Sequence, residues 1–597
     1  MPTEALIGYP PPAAAEFAFG AAVRLMQTTW LMGGLCLLPD GAGHRATRCD
    51  LVLKQGLISA VHLAGQGGAP APGEQAIDAS GCLVIPGLVN AHTHSPDNLM
   101  LGTALALPLE SWSLACAAVR QPASPREAYV STLLGCIEML RSGTTTVLDH
   151  VRFANHLDAD CLDAVARAYQ DSGMRAVVAP VVADRPLAQT LPLRDSDFHF
   201  PPLPDTAVAE QLPAHEQVAR VADFIGRWHG KEQRLYAAIG PSGPQRCSDE
   251  LLQRSADLSG LRGVLLHTHV LETRVQQAMA QQLYGCSMVR HLDDIGLLRP
   301  QTNLVHAVWI DQDDIERIAS SGATVVHNPV SNARLGSGLC PLPALLERGI
   351  PVALGTDSAC CNDSNSLLET AKWAALVHNS PDSDSREWVG PQIAFRLATR
   401  EGSRVLGLER VAGAIAVGMA ADLALFTLRA PGLVPLHDPV QQLVLSHAAA
   451  TAALVMVAGR VLLRDGCCTS IAENDVWSEA QAFADRRRGA VLTAHPLAEP
   501  VHRMLRRVHA LAPCHDSFRR PHDLDQRRRR RHRLVAATGA LLPALVARDR
   551  CPRPRCGRPA GRGARSRRRW LHRHGRRLLG LVSDQAWLPA HQPASLG

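Results

Sequence analysis

Two histidines, His92 and His94, follow the apolar run Val84-Ile85-Pro86-Gly87-Leu88-Val89-Asn90-Ala91. On an extended strand, residues two apart point to one face, so both imidazoles can grip one divalent cation. With 26 histidines in 597 residues, about one such pair arises by chance; His572 and His574, in an arginine-rich stretch, are of that kind. His267 and His269 form a further pair, followed by Glu272. Both can face a site, and His269 with Glu272 is the sharper arrangement. Where a strand turns into a helix, this spacing lets an imidazole bind metal while the carboxylate sits beside a substrate. His306 closes another apolar run, and Asp357 ends Pro351-Val352-Ala353-Leu354-Gly355-Thr356. A lone histidine at such a position is commonly a structural hydrogen-bonder. Found in this order at successive strand ends, the set points to a metal site.

These residues need elements that bring them together. Eight short apolar strand candidates recur at 82–91, 144–149, 176–183, 235–240, 263–268, 303–310, 323–327 and 351–356, and five of them end in histidine or aspartate. Helical patterning separates most of them, as in Pro125 to Arg141 and Arg274 to Leu283. Alternating strands and helices predict an α/β chain with a (β/α)8 barrel of the TIM type, whose strand ends converge on one mouth. The rival, a flat doubly wound sheet, has one crevice and accounts less well for polar residues at five strand ends. Glycine-punctuated β-like runs precede and follow the barrel. The expected organisation is an N-terminal extension over 1–28, a composite β-sandwich from 29–86 and 405–470, a barrel over 87–404, a helix over 471–505 and a tail over 506–597. The proline-rich connection from Pro186 to Pro213 reads equally as a lid over the mouth or as a solvated insertion.

Hydrophobic residues at 46% and charged residues at 19% fit a large folded core. No apolar run reaches the roughly 18–20 residues that span a bilayer, and no basic leader with a cleavage site opens the chain. The sixteen cysteines include no C-x-x-C pair, which suits reduced thiols in a cytoplasmic enzyme and excludes the small zinc deaminases that need one. The net charge of +6 comes from arginine beyond residue 500, as in Arg527 to Arg531. That tail, read as disordered or as an out-of-frame end, supports nucleic-acid binding only as a rival function; the body argues against it.

The motifs Pro86-Gly87-Leu88-Val89-Asn90-Ala91-His92-Thr93-His94, His269-Val270-Leu271-Glu272-Thr273, His306, His327-Asn328-Pro329-Val330-Ser331-Asn332, Gly355-Thr356-Asp357 and Ala421-Asp422-Leu423 resemble the amidohydrolase superfamily. The likeness is to its branch of cytosine, guanine and S-adenosylhomocysteine deaminases with the triazine hydrolases, and it covers roughly residues 30–470. The resemblance implies that His92, His94, His269 and Asp357 bind one Zn²⁺ or Fe²⁺, with His306 beside the water on that ion. Two-metal relatives carry a modified lysine at the end of the fourth strand. This chain has only Lys54, Lys231 and Lys372, none at that position, so one metal is expected. The resemblance further implies that Asp357 accepts the water's proton and Glu272 protonates a ring nitrogen. It places Glu110 and, more weakly, Gln245 against substrate; helix capping is an equal reading of Glu110. The expected partners are a small heterocyclic substrate and water, with a homodimer or higher homo-oligomer left open. Leu101-Gly102 stands where relatives often have Arg-Gly, and Ser358 to Asp363 also departs from the usual pattern. Both bear on the substrate, a nucleobase, nucleoside-like compound or triazine, rather than on the metal. The enzymatic alternative is hydrolysis of a cyclic amide, an imine or a C–Cl bond at the same site.

Overall fold

The computed structural model describes residues 28–41, 43–103, 107–119, 123–191, 212–381, 383–447 and 450–489. The N-terminal extension, most of the 186–213 connection and the arginine-rich tail lie outside them. Strands β1 (Thr29–Asp40), β2 (Gly43–Lys54), β3 (Leu57–Leu63), β4 (Gln75–Asp78) and β5 (Cys82–Pro86) come first. There follow β6 (Leu88–Thr93), β7 (Thr144–Val151), β8 (Arg175–Val182), the interrupted pair β9 (Leu235–Ala237) and β10 (Gly240–Pro241), β11 (Leu266–Val270), β12 (Thr302–His306), β13 (Thr324–His327) and β14 (Val352–Leu354). The chain closes with β15 (Leu423–Thr427), β16 (Leu454–Val457), β17 (Arg460–Arg464) and β18 (Cys467–Cys468).

Strands β6 to β14 form two parallel arcs, one from β6 to β9 and β10, the other from β11 to β14. Isolated parallel bridges, Ile239 with Leu266 and Thr93 with Asp357, join the arcs at both seams. One apolar cluster takes a side chain from each of the eight strand segments, from Ala91 and Leu148 round to Val326 and Ala353. Alternate residues, such as Leu88, Val147, Leu304 and Val352, pack outward in a separate cluster that includes helical residues. That alternation between a filled interior and a helix-covered exterior is the (β/α)8 barrel. Its helices carry local start and stop signals: Ser124 and Glu127 make a capping box at the head of Pro125–Arg141, and Gly263 ends Asp249–Arg262 in the left-handed conformation.

The flanking strands hydrogen-bond into a single nine-stranded sheet, in which β15 from the C-terminal flank pairs with β5 from the N-terminal one. Period-2 alternation divides its side chains. Val84, Leu423 and Leu425 enter the sheet's own apolar cluster, while Leu83, Ile85, Ala424 and Phe426 join the barrel's outer core. A buried bidentate pair, Arg175 at the start of β8 with Asp422 before β15, ties sheet to barrel at 2.8 and 3.2 Å. Residues 473–489 are helical. No helix among the described residues is long and apolar enough to cross a membrane.

Candidate active site and metal centre

The barrel mouth is assembled by short-range devices at each strand end. The β6–β7 register slips between Asn90 and Thr93. Strict alternation from the interior-facing Ala91 would aim His92 and His94 outward; the slip turns both into the mouth, a recurring use of β-bulges. Asn90 then stitches the seam, donating to Thr356 Oγ1 at 2.8 Å and accepting from the Thr356 amide at 3.1 Å. Gly355 is required here because a Cβ would lie 2.7 Å from the Cβ of His92. His306 and Asp357 both adopt left-handed backbone, with φ of 72° and 65°. Such conformations in non-glycine residues are sustained only where packing and hydrogen bonds hold them, commonly at functional sites.

The imidazoles are held in defined tautomers by buried acceptors. His94 Nδ1 donates to the carbonyl of His150 at 2.6 Å, and His269 Nδ1 to that of Ser242 at 2.6 Å. Each ring therefore turns an unprotonated Nε2 to the mouth, the outer-sphere arrangement that suits a metal ligand. His92 Nδ1 lies 2.8 Å from His267 Nε2. The buried His92 Nε2 has no hydrogen-bond partner among the described residues, and it sits 3.5 Å from Asp357 Oδ1, to which His94 Nε2 is 3.3 Å distant. His306 Nδ1 donates to Asn332 Oδ1 at 2.9 Å, leaving its Nε2 facing Glu272 at 3.5 Å and Asp357 at 3.8 Å. Two overlapping donor sets result, His92 with His94, His150 and His269, and His92 with His306 and Asp357. Within each set the donor atoms lie within 4.8 Å of one another. An orphaned buried nitrogen among imidazoles and a carboxylate fits a divalent cation by chemistry as well as by spacing.

Burial governs the charges. It pushes Glu272 well above the ordinary carboxylate range, and the negative charges of Asp357 and Glu110 push the same way. Burial therefore favours the protonated form of Glu272. His306 is lowered by burial, so burial favours the neutral form of both partners in its contact with Glu272. His269 is lowered to about 3, by burial first and His306 second. Asp357 behaves oppositely: burial raises it, but the close imidazoles of His92 and His94, at 3.5 and 3.3 Å, prevail and hold it well below its usual range. Ser331 donates to Asp357 Oδ2 at 2.5 Å and the Ser358 amide to Oδ1 at 2.8 Å.

The sequence-derived residues are thus found together: His94, His269, His306, Asp357, Glu272, Glu110 and Gln245 line one cavity of about 680 Å³, with His92 buried behind it. Glu110 accepts from Thr273 Oγ1 and is raised by burial. His267, left open between mouth and support, is fully buried and supports His92. His150 was not singled out, although it follows Asp149 at the end of β7 and so carried the same strand-end signal. Asn332 and Ser331, which hold His306 and Asp357, stand in the His327–Asn332 motif, but their roles were not legible there because each contact crosses 26 residues. Lys231 stacks on Trp228 before the fourth strand, 4.1 Å from the ring centroid, and none of the three lysines lines the cavity. Burial and the charge of Asp357 push the Cys361 thiol well up, consistent with a packing residue.

A parallel barrel with imidazoles and an aspartate gathered at its carboxyl end defines a metal-dependent hydrolase of the TIM-barrel type. The chain belongs to the amidohydrolase family, whose model matches residues 83–462, and with it to the hydrolases acting on carbon–nitrogen bonds other than peptide bonds. It is 34% identical over 429 residues to the 5'-deoxyadenosine deaminase of Methanothermobacter thermautotrophicus, covering 70% of this chain and 91% of that one. Among solved structures it resembles a zinc-bound adenosine deaminase from Xanthomonas campestris, with TM-score 0.68 and 26% identity over 78% of this chain and 99% of the other. It also resembles a triazine hydrolase from Arthrobacter aurescens, with TM-score 0.68 and 25% identity over 77% and 99%.

Proposed function

We propose that this chain is a mononuclear Zn²⁺- or Fe²⁺-dependent aminohydrolase that converts the C–NH₂ of a nitrogen heterocycle into C=O, consuming water and releasing ammonia. The observation that carries the reading is a buried Glu272 whose carboxyl lies 3.5 Å from His306 Nε2, with Asp357 3.8 Å from the same nitrogen, all facing one cavity. His92, His94, His269 and Asp357 would hold the ion, with His150 and His306 adjacent. A bound divalent cation lowers the pKa of coordinated water towards 7 and so supplies hydroxide at neutral pH. The ionised Asp357, its second oxygen fixed by Ser331, accepts the proton of the attacking water. Glu272 delivers its proton to the ring nitrogen next to the reacting carbon, which makes that carbon electrophilic; the proton taken by Asp357 leaves with the amine, and the remaining hydroxyl proton returns to Glu272 as C=O forms. His306, locked by Asn332, points Nε2 at the oxygen that attacks. Glu110 and Gln245 contact the substrate, and the cavity volume lies within the range of small-molecule sites.

A 6-aminopurine nucleoside-like substrate is favoured by the adenosine-type deaminases to which the chain is similar. The likeness to a triazine hydrolase supports a second reading, displacement from a triazine ring at the same site, including loss of chloride. A cytoplasmic setting is part of the proposal, since every described cysteine is a free thiol. The test is ammonia release from aminopurines, aminopyrimidines and aminotriazines by metal-reconstituted full-length protein, with metal content measured in parallel. Turnover that tracks one bound ion per chain is expected. Full activity in metal-free protein, or ring opening without ammonia, defeats the reading.

A further inference from the structure

The cavity wall contains a second cluster that the chemistry above does not use. Arg152, His156, Arg220 and Arg246 line the same cavity as the catalytic candidates. Arg246 closes the short segment Pro244–Arg246, directly after Gln245 and four residues beyond Ser242, whose carbonyl orients His269. It is only 4% exposed. Its Nε and Nη1 are buried with no hydrogen-bond partner among the described residues, and it enters no ion pair among them. The other deeply buried arginines behave differently: Arg175 is paired with Asp422, and Arg234 donates to the Met174 carbonyl at 2.7 Å as well as to Glu232.

A buried guanidinium without acceptors loses its hydration and gains nothing in return. Burial lowers Arg246 only to about 10, so it stays charged at neutral pH. Arg220 is engaged by Glu216 at 2.7 Å on its outer side. His156 marks the spot where the charges converge. It is lowered to about 4, by burial first and then by Arg152, Arg246 and Arg220. Of the nearby acids, Asp158 is committed to capping a helix through the Cys161 amide at 2.9 Å. Asp184 is committed to the Ser248 amide at 2.7 Å. Three arginines act on His156, and one fork of donors, that of Arg246, is empty-handed.

We propose that Arg246, with Arg152 and Arg220 beside it, is a subsite for an oxyanion, a carboxylate or a phosphate, carried by the heterocyclic substrate away from its reacting carbon. The inference rests on the deamination reading and narrows it to anionic substrates. A guanidinium suits this task because its planar fork binds both oxygens of such a group at once.

The test uses zinc-loaded full-length protein and isosteric pairs that differ only in charge: adenosine 5'-carboxylic acid against its carboxamide, adenine-9-acetic acid against adenine-9-acetamide, and N-carboxymethylmelamine against its amide. Adenosine 5'-monophosphate tells phosphate from carboxylate. In at least one pair the acid should be preferred by roughly 10- to 100-fold in KM. That preference should collapse towards one in Arg246→Met and return in part in Arg246→Lys. Equal use of acid and amide in every pair, or a preference that survives Arg246→Met, overturns the subsite. If no probe releases ammonia, the deamination reading fails; isothermal titration of the same pairs then decides the subsite alone, with equal affinities or absent binding counting against it.

Discussion

In the proposed mechanism Glu272 serves as the acid and Asp357, close to it, as the base. Both are buried, but Asp357 accepts hydrogen bonds from a hydroxyl and an amide and has two imidazoles within 3.5 Å, whereas Glu272, among the described residues, has a 3.3 Å bond from Ser337 and faces two other carboxylates. Environment pushes the two pKa values apart, which is how acid and base roles are divided. Glu272→Gln keeps the shape and loses the proton. It should bind metal as the parent does while turnover falls by roughly 10²- to 10⁴-fold, measured by ammonia release at matched metal content. Near-parental turnover would remove Glu272 from the proton path. His267 acts one step away, through His92. His267→Ala is expected to weaken zinc retention by about 10- to 100-fold in a chelator competition, as loss of an outer-sphere partner does; unchanged retention would make it mere packing.

At the scale of elements, the motifs that carried the family resemblance divide into site and scaffold. Asn90 and Thr356 close the barrel seam beneath the metal-ligating candidates. Asp422, in the Ala421-Asp422-Leu423 motif, lies far from the mouth's chemistry: it pairs with Arg175 and accepts the Ala458 amide at 2.7 Å. Removing one member of a buried pair strands the other, so Asp422→Ala should destabilise the fold by about 3–5 kcal/mol, read from the urea midpoint. A shift under about 1 kcal/mol would show that the pair contributes little. The eight strand positions could be read from apolar runs because each is short and flanked by polar residues. The interruption of the fourth strand and the register slip beside His92 could not, since both depend on the neighbouring strand. The two flanks were likewise readable as β-rich and as one composite unit; which strands join them, β5 with β15 some 340 residues apart, was not.

For the molecule as a whole, burial of neutral histidines sets its response to acid. His44, His156 and His378 are each lowered to about 4, with burial the first cause, against about 6.5 in an unfolded chain. Between those values the unfolded state binds more protons, so stability rises with pH there. The contribution is fully present above about pH 6.5 and is lost as pH falls towards 4. The raised carboxyls of Asp314, Glu110, Asp149 and Glu272 pull the other way, but the lowered histidines outnumber them once His92, His150, His229, His267, His269, His306 and His327 are included. Melting temperature should therefore drop steeply from pH 6.5 to 4.5; a flat profile would contradict the burial. Metal should add stability by mass action, about 2.7 kcal/mol at a hundredfold excess over Kd. Chelation is thus expected to lower the melting temperature, and re-addition of zinc to restore it.

The sequence by itself determined which side chains end which strands, because strand length, polarity at strand ends and spacing of histidines are local properties. The barrel and the candidate metal-binding residues follow from these, while the proton-transfer role proposed for Glu272 came from the family resemblance. Tertiary structure alone decided that His267 supports rather than faces the mouth, that His150 joins the donor set, that Asn332 and Ser331 fix His306 and Asp357, and that Arg246 is buried without a partner. Those properties are sums over neighbours distant in the chain: desolvation, tautomer and unmet hydrogen bonds exist only once the strands have closed around them.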